Sequence, residues 1–244
     1  MTALLLLICL VVGILMGAVG VGGVLLIPAL YSPLAGLGIK QAMATALLTF
    51  IFAGIVGTLS YLRRGNIPWS ITVPVCLGAI PFGFLGAWVN SMADVGSLRL
   101  LLAAFVAFTG LHALLMRASE RDPPFRQRPR LQWALLLGVG AAVGFGSGLT
   151  GVGGPALSVP IMVLLGFAPL AAIGASQVVQ VLSAASGTIG NLQYGSIDFT
   201  LAGPIIIAEG VGVLLGVRIA HRVDATVLRA LIGIACVLVG LVLL

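Results

Sequence analysis

What constrains this chain most is a succession of apolar runs, near 3–32, 42–62, 71–90, 98–116, 132–166, 170–192, 199–219 and 226–244. Most reach the ~20 residues that cross a bilayer as helix. In hydrocarbon every backbone N–H and C=O must be satisfied inside the chain, which leaves helices or a closed barrel. A barrel strand alternates apolar and polar residues, and these runs do not. Only 7% of the 244 residues are charged, against about a quarter in a water-soluble domain. The expectation is an all-α, polytopic integral membrane protein of a bacterial-type cell (inner) membrane.

The first run could pass for a cleaved leader. It has no positive n-region and continues through a glycine cluster to Pro28, so it reads as retained. The net charge of +6 is carried by loops between the runs, as topology signals are, and does not argue for nucleic acid. Cys9, Cys76 and Cys236 lie in apolar segments without ligand spacing, so neither a metal site nor a disulfide is expected. No His-Glu-x-x-His or Walker-type loop is present, and Gly146-Ser147-Gly148 lacks the strand–turn–helix context of a nucleophile elbow. No enzyme and no cofactor are expected.

Four runs, a charged stretch and four more runs suggest a duplication. At an offset of 130, Gly57-Thr58 faces Gly187-Thr188, Pro74 faces Pro204, Gly86 faces Gly216, Asp94 faces Asp224, and Leu98-Arg99 faces Leu228-Arg229. The halves are 1–118 and 132–244, joined by a charged cytoplasmic linker at 119–131. Both first runs contain a glycine cluster: Gly20-Val21-Gly22-Gly23 before Pro28, and Gly151-Val152-Gly153-Gly154-Pro155 before Pro160. Glycine lets a backbone unwind or approach a ligand closely. Interruptions at matching places in two membrane repeats point to a transporter's binding site.

The loop charges discriminate between two topologies. If every run crosses once from a cytoplasmic N-terminus, seven basic residues lie inside (Arg63, Arg64, Arg117, Arg121, Arg126, Arg128, Arg130) and five outside (Lys40, Arg99, Arg218, Arg222, Arg229). If the interrupted runs are re-entrant and the N-terminus is outside, the division becomes ten against Lys40 and Arg99. The second division fits the positive-inside rule better and makes the halves inverted repeats of four helical segments, each with a broken first segment.

Several residues carry candidate chemistry. Short helices starting near Val24 and Pro155 would offer unpaired N–H groups and positive dipole ends to a small anion, through Gly20, Gly22, Gly23, Val24, Gly151, Gly153, Gly154 and Pro155. The alternative is close helix packing at small residues. Ser176, Gln177 and Gln180 follow the second cluster, with Thr45 and Thr49 after the first. Gln177 and Gln180 are the preferred substrate contacts, because an amide donates to oxyanions. Interhelical hydrogen bonding is the competing reading. Glu209 is the acidic residue in the middle of an apolar run, and such a group is by default functional. It would exchange a proton during transport, or stay as a hydrogen-bonded acid beside the path. Arg99 and Arg229 would anchor their segments or pair with Asp94 and Asp224, the other reading being attraction of anions, and Trp69, Trp88 and Trp133 would lie in interfacial belts.

At the glycine clusters the chain resembles the TauE/SafE family of membrane permeases, the sulfite exporter family. That family shows Gly-x-Gly-Gly-Gly, apolar residues and Pro once in each half of a duplicated chain. Here Val24 and Pro155 replace the third consecutive glycine, and the first cluster is one residue nearer its proline. The resemblance implies a secondary transporter, typically an exporter, of sulfite or small organosulfonates, driven by an ion gradient. Its partners would be the lipid bilayer, the small anionic substrate and protons. An uncoupled anion channel, or a non-transporting scaffold or accessory subunit, would be the alternatives.

Overall fold

The computed structural model describes residues 2–20, 22–115, 128–220 and 222. Among them there is no strand. The first run is broken into α1 (Thr2–Val19), a 3₁₀ turn (Gly22–Leu25) and α2 (Leu26–Tyr31). Then follow α3 (Ile39–Leu62), α4 (Trp69–Met92) and α5 (Val95–Leu115). The second half repeats the order with α6 (Pro129–Thr150), α7 (Pro155–Leu164), α8 (Pro169–Tyr194) and α9 (Phe199–Ala220). The final run, 226–244, lies outside the described residues, as do Asp224, Arg229 and most of the linker.

Among the described residues five helices, α3, α4, α6, α8 and α9, are long and apolar enough to cross a membrane. Their outer faces carry exposed Phe52, Ile55, Leu77, Leu137 and Ile207, while Thr49, Ser147, Gln177, Gln180 and Glu209 are fully buried. Polar residues inside and apolar residues outside suit a chain solvated by lipid. Trp69, Trp88 and Trp133 are exposed near helix ends.

Glycine stripes set the packing. Gly140, Gly144 and Gly148 of α6 abut, in that order, the backbones of Val75, Ala79 and Gly83 of α4. In the same way Gly13 and Gly17 of α1 abut Glu209 and Val213 of α9, and Gly212 and Gly216 return the contact to Leu10 and Ile14. A side chain at these glycines would collide with a neighbouring backbone, so small residues are what allow the helices to approach so closely. Each first helix is therefore held by the helix of the third run of the opposite half.

The order of contacts also gives direction. α4 runs parallel to α6, and α1 to α9. α3 runs antiparallel to α8, since Gly187 meets Leu47 while Gln177 meets Gly57. Ser186 donates to the Ile80 carbonyl and Gly190 touches Ala87, so α4 and α8 are parallel. Asp198 N donates to Thr45 Oγ1 at 3.0 Å and Gly210 lies by Val56, so α3 and α9 are parallel. Helices at corresponding positions of the two halves thus point in opposite directions.

Because α1 and α3 are parallel, the short segment between them must double back. It does so at once, since Gly22 abuts Val12, Leu15 and Met16 of α1. The same directions collect Arg63, Arg64, Arg128, Arg130, Arg218 and Arg222 at one end of the bundle, and Lys40 and Arg99 at the other. Lys40 Nζ donates to the Ser91 carbonyl (3.0 Å), tying the start of α3 to the end of α4. Asp94 accepts from Ser97 N at 2.7 Å, so its carboxylate caps α5. Hydrogen bonding to the Ser97 side chain, and then to its N–H, holds its pKa below the ordinary aspartate value.

Candidate functional site

The breaks begin where glycine is required. Gly20 (φ 81°) and Gly151 (φ 70°) are left-handed, and each donates its N–H to a carbonyl one turn back, Met16 (3.0 Å) and Ser147 (2.8 Å). This is the helix-ending geometry that favours glycine over residues with a Cβ. Each cap is lodged in the opposite half. Gly20 lies against Val159, Ile173 and Ser176, and Gly151 against Met43.

Beyond the caps the two breaks converge. The position a Cβ would take on Gly23 is 3.2 Å from the Val152 carbonyl oxygen. That position is also 3.0 Å from Phe50 Cζ, while the corresponding position on Gly153 is 3.0 Å from Phe50 Cδ2. One aromatic ring thus lies against both glycines, with different ring atoms turned to the two halves. Gly153 (φ 86°) is itself left-handed. Gly154 then starts α7, with Pro155 at the first helical position and no side-chain cap. Among the described residues no acceptor bonds the N–H of Gly153 or Gly154. Val24 and Pro155 are buried beside the breaks.

α8 supplies the polar wall. Ser176, Gln177, Gln180 and Ser183 are fully buried. Ser183 Oγ lies 3.1 Å from the space beside Gly154. Gln180 Nε2 donates to the Phe50 carbonyl (2.9 Å), and Gln177 Nε2 to the Met16 carbonyl (3.3 Å). Because those partners are carbonyls, they dictate which end of each amide faces them. The amide oxygens of both residues are left without a partner. In this conformation the donor ends join helices of opposite halves, and the free ends are acceptors. That differs from the expectation that the amide N–H groups face an oxyanion. The backbone N–H groups of the second break fill that role better.

Glu209 sits fully buried on α9, facing α1 at Gly13 and α3 at Thr49. Thr49 Oγ1 donates to the Ala46 carbonyl (3.0 Å), and neither carboxyl oxygen of Glu209 has a partner of good geometry. Cys9 is within electrostatic reach. Glu209 and Thr49 thus form a second polar point, between α1, α3 and α9. Thr45 is elsewhere, accepting from Asp198 N in the turn before α9. Ser176 turns its hydroxyl to the Ile173 carbonyl (2.7 Å).

The site therefore assembles Gly23, Gly153, Gly154, Gln180 and Ser183 around Phe50, with Gly20, Gly22, Gly151, Ser176 and Gln177 supporting it. Phe50 is absent from the sequence-derived candidates. The repeat held the signal, since at an offset of 130 Phe50 faces Gln180. Among the described residues no group of His, Cys, Asp or Glu is arranged to hold a metal ion.

The family described as sulfite exporter TauE/SafE matches residues 5–243. A probable membrane transporter protein of Bacillus subtilis, YdhB, is 27% identical, with 99% of each chain covered. A second from that organism, YunE, is 24% identical over 94% of each chain. A probable membrane transporter protein of Methanocaldococcus jannaschii, MJ0441, is 26% identical over 95% of this chain and 92% of its own length. No solved structure matches. With the family match running almost from end to end, and the broken paired segments where the family's glycine motifs fall, this chain belongs to the TauE/SafE family of membrane proteins.

Proposed function

We propose that this multi-pass membrane protein is a secondary transporter, working outward across the cell (inner) membrane, of a small sulfur-containing oxyanion such as sulfite or an organosulfonate. The observation that carries the reading is the meeting of the two breaks, with the place a Cβ would take on Gly23 only 3.2 Å from the Val152 carbonyl oxygen, inside a buried polar wall. In membrane transporters, discontinuous helices that face each other across a repeat interface form the substrate site. The opposed helix directions support reading the halves as inverted repeats, and the broken segments as re-entrant. Such halves exchange roles when the site turns from one face of the membrane to the other.

The anion would lie against the N–H groups of Gly153 and Gly154, which bond no acceptor among the described residues, and the start of α7, where backbone donors and the helix dipole favour negative charge. Gln180 would hold the site's two halves in register through Phe50, and Ser183 would border the anion. A bare carboxylate is costly in a membrane interior, so Glu209 would give the cycle its proton coupling.

The test is uptake of labelled sulfite into proteoliposomes, with thiosulfate, sulfate and a small sulfonate as competitors, with and without an imposed pH gradient. Saturable uptake that is lost in a Gln177→Ala plus Gln180→Ala variant is expected. A gradient response that disappears in Glu209→Gln is expected as well. Folded protein that carries none of these anions would remove the substrate class. Currents in planar bilayers far above carrier turnover would replace alternating access with a channel.

A further inference from the structure

We propose that Phe50 is the occluding side chain of the central site, and that its ring must leave the space between Gly23 and Gly153 before either face of the membrane gains access. This deepens the transport reading and rests on it. Phe50 is fully buried, yet its ring is set apart from an ordinary core residue by what it touches. The Cζ–Cε1 edge faces Gly23, and the Cδ2–Cε2 edge faces Gly153. Both are glycines from the breaks of opposite halves, and a Cβ at either would sit 3.0 Å from the ring, so the ring would have to give way by a few tenths of an ångström. The ring therefore fills the gap through which the two breaks face each other.

The surroundings favour a movable plug over a fixed wedge. Next to the ring lie groups whose polarity is unspent. The N–H groups of Gly153 and Gly154 have no bonded acceptor among the described residues, and the Gln180 side-chain oxygen has no partner although fully buried. Unpaired buried polar groups are costly, and a ligand or water entering after the ring withdraws would satisfy them. The aromatic edge carries the positive part of the ring quadrupole, so a retracting ring still presents a compatible surface to an anion. The backbone of Phe50 stays fixed meanwhile by Gln180 Nε2 (2.9 Å), which leaves side-chain rotation as the economical motion. At the matching position of the other half the chain has Gln180 itself, so one half supplies the plug and the other the clamp.

The test reads occlusion without knowing the substrate. In full-length protein carrying Cys9→Ser, Cys76→Ala and Cys236→Ala, a Ser183→Cys substitution places one thiol beside Gly154. Its modification by a membrane-impermeant methanethiosulfonate is timed in proteoliposomes. Phe50→Ala should speed labelling about tenfold or more, as removing a barrier to local opening does. Phe50→Tyr, which keeps the ring, should label like the parent. Leu47→Ala removes a fully buried side chain one turn away on α3 and should also label like the parent. Unchanged labelling in Phe50→Ala would overturn the proposal, and so would an equal rise in Leu47→Ala, which would show general loosening. Should Phe50→Ala fail to purify as a monodisperse species, Phe50→Leu serves instead, with a smaller rise expected and no rise decisive against the plug. Faster labelling without any anion flux would count against the substrate class and in favour of the plug. Flux with flat labelling would do the reverse.

Discussion

Replacing Gly144 by alanine should destabilise the protein, although alanine is the better helix former. The β-carbon at 144 would lie 2.7 Å from the Ala79 Cα and 2.8 Å from its carbonyl carbon, where carbon atoms prefer about 3.5–4 Å. The obstacle is backbone in the middle of α4, so no rotamer change relieves it. The helices must part by about 1 Å, and overpacking of this kind costs about 1–3 kcal/mol. Separation at Gly144 also loosens Gly140 and Gly148 on the same stripe, which puts the cost in the upper part of that range. The intrinsic preference for alanine returns at most about 1 kcal/mol, leaving a net loss of about 1–2 kcal/mol. Gly138 is the internal control, since it lies on the same helix with nothing within 4 Å of its would-be β-carbon. Gly138→Ala should be neutral or gain up to about 1 kcal/mol. Unfolding by SDS titration in mixed micelles, followed by circular dichroism, compares the two. Equal shifts, or a Gly144→Ala protein as stable as the parent, would refute the close-packed α4–α6 seam.

Two further outcomes follow from the bundle's ends. Asp94 has its pKa held below the 3.8 of an unperturbed aspartate by the Ser97 side chain and then the Ser97 N–H, so its cap is fully present at neutral pH and lost as the pH falls through that lowered value. Asp94→Ala should therefore weaken amide protection at Ser97 and Leu98 at pH 7, and the difference from the parent should vanish in strong acid; hydrogen exchange reads both. Reporters inserted after Arg64 and after Ala93 should score as cytoplasmic and external, and one fused after Leu244 as external. Two insertions on one side would overturn the helix directions, and reversed polarity would overturn the charge assignment.

Much of this fold was legible because the residues that fix it act locally. Gly20 and Gly151 end their helices by adopting a conformation that few other residues take, and that requirement is visible in sequence. The apolar runs and the offset of 130 needed only composition and spacing. The pairing of α1 with α9 and α4 with α6 was not legible, because a glycine stripe names no partner and the partners are far apart in the chain. Phe50 escaped for a related reason: in a helix apolar on every face, hydrophobicity does not tell a lipid-facing ring from one at the centre. The amides of Gln177 and Gln180 were recognised as important, but which end of each is free depends on the Met16 and Phe50 carbonyls opposite. Thr45 was grouped with Thr49 by type and spacing, yet its hydroxyl serves the turn before α9.

The exchange of helices between halves has a consequence for synthesis. Val19 ends α1, and the first residue of its partner helix, Phe199, is made 180 residues later. At translation rates of about 5–20 residues per second that is roughly 10–40 s, during which Gly13 and Gly17 face lipid or a temporary neighbour. α4 waits only for α5 and the linker before α6 arrives. The ribosome therefore delivers the α4–α6 seam first and the α1–α9 seam last, so a chain that stalls before α9 leaves its first helix exposed to membrane quality control.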